Sequence, residues 1–146
     1  MSASELPVLY VDNDLDADDF VVPLLDAAAS GEFRVERHTH HFPGNAKDYE
    51  WIPEVAARGW YAVSHDVRIY RNAVQRSFTL DHGLGLFVVR GDRKTHMEMG
   101  QNVARAIPAI LRRIQKQKRP FVCSVSFPDL AGRPPKVNLR YPKPGS

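Results

Sequence analysis

The chain has 146 residues, 43% hydrophobic, 10% aromatic and 25% charged. That length lets one core bury roughly 68–70% of the unfolded surface, and the composition excludes collagen-like, coiled-coil and wholly disordered proteins. The net charge of +3 conceals a division: 4 Lys and Arg stand against 13 Asp and Glu up to Asp66, and 16 against 4 from Val67 onward.

Pro7 to Asp12 is a short apolar run ending in acids, the pattern of a buried parallel strand whose carboxyl end meets solvent. Phe20, Val21, Leu24, Leu25 and Ala28 recur at helical spacing until Ser30 and Gly31, with Pro23 near the start. Phe33 to Arg37 alternates as a half-exposed strand does, and His38 to Lys47 reads as a polar loop. Asp48 stands where it can cap a helix bearing Ile52, Val55 and Ala56, which Arg58 and Gly59 close. Trp60 to Val63 is a third strand that runs directly into Ser64, His65 and Asp66. Ile69, Tyr70, Ala73, Val74 and Phe78 fit one face of a segment helical to about Leu80, Leu86 to Val89 is a fourth strand, and Met97 to Gln117 is a long amphipathic helix with a bend expected at Pro108. Phe121 to Val125 is the fifth strand.

Strands alternating with helices, the strands reading as continuous apolar runs, predict an α/β fold: a three-layer α/β/α arrangement around a mainly parallel, about five-stranded sheet. The predicted domain covers residues 1–126. Residues 127–146 hold five of the eleven prolines and four basic residues and are expected to form a basic arm or edge extension. Cys123, between Phe121, Val122 and Val125, reads as a buried strand thiol and not a nucleophile. No apolar run approaches the roughly 18 residues that span a bilayer, and Met1 to Pro7 lacks the basic and apolar segments of a secretory leader, so a cytoplasmic protein without membrane association is expected.

Two strands, ending at Val11 and Val63, each deliver an aspartate just beyond their last apolar residues, Asp12 and Asp66. Ligands of open parallel sheets gather at the carboxyl ends of the strands, so Asp12, Asp14, Ser64 and Asp66 should fall together. Asp48 and Glu50 begin a helix on that same side if the crossover is right-handed. Carboxylates so gathered either raise one another's pKa or recruit a divalent cation, and oxygen donors suit Mg²⁺ or Mn²⁺. Taken singly, Asp14, Asp16 and Asp48 also read as helix caps.

The segment from Leu9 to Leu15, the block from Asp48 to Ile69 and the strand Leu86 to Arg90 resemble the PIN-like nucleases, in particular the bacterial group that includes VapC-type toxins. The resemblance implies a metal-dependent endoribonuclease, the toxin of a toxin–antitoxin pair. Its catalytic residues would be Asp12, Asp48 and Asp66. Its Mg²⁺ or Mn²⁺ ligands would come from Asp12, Asp14, Asp48, Glu50 and Asp66, with Ser64, Arg68, Arg71 and Asn72 on the substrate. RNA, an antitoxin protein and a second copy in a homodimer are the implied partners. One departure stands out: Val67, Arg68, Ile69, Tyr70, Arg71 and Asn72 follow Asp66 where many PIN domains place a fourth acid, and only Asn72 offers an oxygen there.

That departure motivates an alternative, a catalytically inactive PIN-like module that binds RNA or protein. A response-regulator receiver domain also begins like Leu9 to Asp14, but no Lys ends the fifth strand, Phe121 to Ser126, to pair with a phosphate on Asp66. His38, His40 and His41 read either as a transition-metal cluster or as a solvated, RNA-facing loop. His65 sits beside Asp66, and strand alternation aims it away. Arg105, Arg112, Arg113, Lys116, Lys118 and Arg119 give the late helix a basic end, expected to be a solvated face or, beside the acidic site, a phosphate track. Trp51 and Trp60 read as packing residues.

Overall fold

Residues 6–130 and 132–143 are described by a computed structural model. Its strands are β1 (Val8–Val11), β2 (Arg34–Arg37), β3 (Tyr61–Ser64), β4 (Gly85–Val89), β5 (Phe121–Val125) and β6 (Val137–Tyr141). Its helices are α1 (Asp18–Ala28), α2 (Asp48–Ala57), α3 (Arg68–Arg71), α4 (Ala73–Asp81) and α5 (His96–Lys116). The strands form one sheet in the order β2-β1-β3-β4-β5-β6, parallel except for β6, which runs antiparallel to β5. The predicted α/β class and mainly parallel sheet therefore hold.

Both faces of the sheet are covered, which is why its central strands are mostly apolar and buried on both sides instead of alternating. On one face Leu9, Val11, Val63, Phe87 and Cys123 pack against Phe20 and Leu24 of α1 and Val103 and Ile110 of α5. On the other, Tyr10, Ala62, Leu86 and Val88 pack against Trp51, Ile52 and Val55 of α2 and Ile69 of α3. Cys123 is fully buried, and burial pushes its thiol up to about 11, so it is packing and not a nucleophile. Gly100 permits the closest helix contact, because a Cβ there would stand 2.5 Å from the Phe20 carbonyl oxygen. This brings α5 against the start of α1, directly beneath the loop that leaves β1.

The structure differs from the sequence reading in three places. The segment expected to be one helix from Ile69 to Leu80 is two, because Asn72 adopts an extended conformation and its side chain accepts hydrogen bonds from the Val74 and Gln75 amides, restarting the helix. Val74 consequently lies on the outside, 79% exposed. The second is a sixth strand: the Pro-rich stretch, expected as an arm or edge extension, adds β6 to the edge of a sheet read as about five-stranded. Val137 and Leu139 pack onto one face of the sheet and, past a bulge opposite Val122 and Cys123, Tyr141 onto the other, along the open edge of β5, whose unpaired amides and carbonyls take up the added strand.

The third concerns the histidines. His38–His40 form a single 3-10 turn, and His38 is wholly buried, neither solvated nor, among the described residues, in a metal cluster with His40. The ring Nε2 of His38 lies 2.9 Å from the Pro43 carbonyl, which can only accept, so Nε2 carries the proton and Nδ1 accepts from the Tyr10 hydroxyl. His38 thus fastens the following loop to β1, which explains its burial.

Candidate active site

Each acidic residue reaches the carboxyl edge of the sheet by its own route. Asp12 follows the last residue of β1, with its amide still donating to the Val63 carbonyl at 3.0 Å. Asp14 sits in the 3-10 turn Asn13–Leu15. Ser64 ends β3, Asp66 lies two residues on, and Asp48 opens α2, on the side where a right-handed crossover must start.

The polar contacts between them are specific. Asp12 is only 6% exposed; its Oδ1 accepts from the Asn13 amide at 2.6 Å and its Oδ2 from the Ser64 hydroxyl at 2.9 Å. The same hydroxyl oxygen accepts from the Asp66 amide at 3.1 Å, so Ser64 bridges the two strand-end aspartates. Asp14 accepts from the His65 amide at 3.3 Å. Asp48 accepts from the Trp51 indole N–H at 3.0 Å, a pairing across one helical turn that aims its carboxylate. Lys47, not Asp48, is the N-cap of α2.

These carboxylates feel one another. Burial first, and then the charge on Asp14, lift the Asp12 pKa to about 7 against the hydrogen bonds from Ser64 and Asn13. Burial, with Asp66 and Asp48, lifts Asp14 to about 6. Asp48 is raised too, by burial and by Asp66. Asp66 goes the other way: burial opposes its charge, but Arg68 overcomes this and holds it below the usual carboxylate range. Arg68 grips Asp66 with two side-chain bonds, Nε to Oδ1 at 2.9 Å and Nη2 to Oδ2 at 2.9 Å.

The other predicted residues take different places. Glu50 accepts from the Lys47 amide at 2.9 Å as an exposed helix-start contact and is not among the groups that shift Asp12, Asp14 or Asp48. Asn72 is committed as the cap of α4. Arg71 is exposed, its guanidinium 5.9 Å from the Tyr70 ring. His65 turns away, its Nδ1 2.8 Å from the Val89 carbonyl. The basic end of α5 is not beside the acids at all. This helix starts at the acidic edge, where His96 Nε2 lies 3.1 Å from the Asp14 carbonyl, and its 21 residues carry it about 30 Å toward the opposite edge. Arg105 and Arg113 donate instead to the carbonyls of Arg133 and Val137, fastening the β6 segment.

Sequence reasoning missed Trp51 and His96 as supports of the acids. Only Trp51 left a signal, its three-residue spacing from Asp48. Beside Asp48 an apolar cavity of about 240 Å³ opens between Tyr49, Ile52, Ile69, Val74 and Phe78.

The donor set tests whether a metal fits. Among the described residues no three His, Cys, Asp or Glu side chains already close on one point. Mg²⁺ keeps several of its waters and takes only one or two carboxylates, so it needs no closed cage. Hard oxygen donors whose charges oppose one another in a partly buried edge fit such an ion and favour its entry.

The pattern of a PIN-like domain matches residues 7–91, a span that includes every acid just described. A protein of Mycobacterium tuberculosis strain H37Rv, named "Putative ribonuclease VapC45", is 30% identical over 127 residues, covering 84% of this chain and 88% of its own length. No solved structure matches the chain.

Proposed function

The chain belongs to the PIN-like domain family, and from that membership we propose that it is a metal-dependent endoribonuclease acting as the toxin of a toxin–antitoxin pair. The carrying observation is the set of carboxylates at the carboxyl edge, Asp12, Asp14, Asp48 and Asp66, whose burial and mutual repulsion raise the first three. They would hold Mg²⁺ or Mn²⁺, with Asp12, Asp48 and Asp66 as the catalytic residues. When bound, such an ion lowers the pKa of its water and offsets charge building on the phosphate.

The chain's own residues supply the rest. Ser64 fixes the distance between the Asp12 carboxylate and the Asp66 backbone, and Trp51 keeps Asp48 turned inward. Arg68 and the exposed Arg71 would take an RNA phosphate through paired N–H donors, Arg68 leaving Asp66 to do so. The antitoxin, as the restraining partner, would cover the acids with a cation of its own and seat apolar side chains in the cavity beside Asp48.

The test is RNA cleavage with Mg²⁺, Mn²⁺ or EDTA, together with growth on expression. Wild type should cleave with either metal, stop in EDTA and arrest growth, whereas Asp12→Asn and Asp66→Asn should neither cleave nor arrest. Absence of cleavage by soluble wild type, with RNA binding retained, would favour the inactive module, a reading that the Arg68 fork on Asp66 supports. The receiver reading shares the sheet order and is set aside by the family membership.

A further inference from the structure

The amino edge of the sheet, at the far end from the acids, carries its own built surface. A cavity of about 290 Å³ is lined there by Arg34, Arg58 and Arg119 with Trp60 and Tyr61, and none of its lining residues is acidic. Two of the three guanidinium groups lie on aromatic faces: Arg58 is 4.9 Å from the centre of the Trp60 ring and Arg119 5.0 Å from that of Tyr61. Arg58 also shares its Nη1 with the His41 ring Nδ1 at 3.2 Å, whereas stacking on Tyr61 fixes the planar fork of Arg119 with its N–H edge open to an anion. Arg119 also lies over bare backbone, because Gly59 has φ +74 and a Cβ there would meet Arg119 Nη1 at 3.4 Å.

A neighbouring cavity of about 500 Å³ shares Tyr61 and Arg119 and adds Lys118, again with no acid in its lining. Arg34 and Arg58 each have a carboxylate at long range, the half-buried Glu36 at 3.5 Å and the exposed Glu54 at 3.6 Å, weak pairs in water. Arg119 has no carboxylate partner among the described residues.

From this geometry we infer that the amino edge is a second RNA-backbone contact, roughly 30 Å along α5 from the acidic edge. Positive charge with stacked aromatic rings and no acid in the lining suits a phosphodiester strand, whose phosphates take the forks and whose bases have a π-face to offer. The inference rests on the reading that RNA is the substrate, and it assigns affinity, not cleavage, to this edge. It also gives the basic end of α5 a role that its distance from the acids would otherwise deny it.

The experiment measures binding of a single-stranded RNA of roughly 20 nucleotides in EDTA, so that cleavage plays no part, across a salt series. At a few ångströms per nucleotide such a strand is long enough to reach both edges. Paired Arg58→Gln and Arg119→Gln substitutions should weaken binding about ten-fold and reduce the log–log salt slope by about 0.7 for each phosphate that is no longer neutralised. On the wild type, the guanidinium Nε–H resonances of Arg58 and Arg119 should shift on adding the RNA, a reading that does not depend on how the variants fold.

Resonances that stay fixed at these two residues while those of Arg68 and Arg71 move would overturn this inference and leave the ribonuclease reading standing, as would unchanged affinity in folded variants. No RNA binding by wild type would overturn both. A salt-sensitive dimer lost in the same variants, with unaltered RNA affinity, would assign the face to the acidic half of a second copy and overturn the RNA assignment.

Discussion

At the carboxyl edge of the sheet Asp12, Asp14 and Asp48 are buried far enough to be held above their ordinary pKa, whereas at the amino edge Arg34, Arg58 and Arg119 line an open cavity and two of them rest on aromatic rings. The acids are crowded by backbone geometry, because parallel strands and right-handed crossovers deliver successive chain segments to one side. The arginines are spread by side-chain length and stacking. One edge stores repulsion that a cation can relieve, and the other presents positive charge held in place by aromatic packing.

The sharpest way to break the contrast is to remove charge from the crowded edge. Asp12→Asn should lower RNA cleavage by at least about 100-fold, since losing even an indirect support of a metal costs about 10–100-fold. Steady-state cleavage of a labelled RNA checks this.

The next effect is on pH. With the folded pKa of Asp12 at about 7 and of Asp14 at about 6, both above the unfolded 3.8, the folded protein holds protons that the unfolded chain has released. Stability of the metal-free protein is therefore greatest near pH 4 from these groups and is lost as pH rises through 6 and 7. Thermal melts in EDTA should show the midpoint falling over that window, and Asp12→Asn should raise it at pH 8 by about 5 °C. Added Mg²⁺ should restore the midpoint more at pH 8 than at pH 5, because binding must displace those protons.

At the amino edge, Gly85→Ala places a Cβ 2.6 Å from Tyr61 Cδ1 and 3.0 Å from Phe121 Cε2. It should cost about 1–3 kcal/mol by overpacking and disturb the ring under Arg119, while the pH dependence set by the acids stays as it was. Urea denaturation at two pH values reads both.

The smallest expected change is Arg68→Gln. Its pair with Asp66 involves a side chain 76% exposed, so solvent screening leaves stability nearly unchanged. Mg²⁺ affinity, measured by calorimetry, should rise a few-fold as Asp66 is released, and RNA affinity should fall.

The layers, the parallel sheet and the edge where the acids meet were legible because apolar runs and turn residues mark strands and crossovers in chain order. Asp12 and Asp66 were legible for the same reason, each standing one step past an apolar run or its Ser-His continuation. What could not be read was how side chains are spent. Glu50 and Asn72 look like oxygen donors in the sequence, but each is consumed by backbone amides at a helix start. His38 looks like part of a polar loop until the phenol of Tyr10, far away in sequence, takes it into the core. The basic end of α5 is the solvated face expected of it, but the track beside the acids was not to be read, because that depends on the direction of a 21-residue helix across the sheet.

The antiparallel β6 carries a consequence for synthesis on the ribosome. Phe121–Val125 is buried at every position, yet its outer edge is paired only once Val137–Tyr141 has emerged. A chain halted near Ser126 would already possess Asp12, Asp48, Ser64 and Asp66 while exposing a bare apolar edge open to pairing with its neighbours. Premature termination there should yield aggregates and not a shortened nuclease, and the last strand serves as the latch that separates the two outcomes.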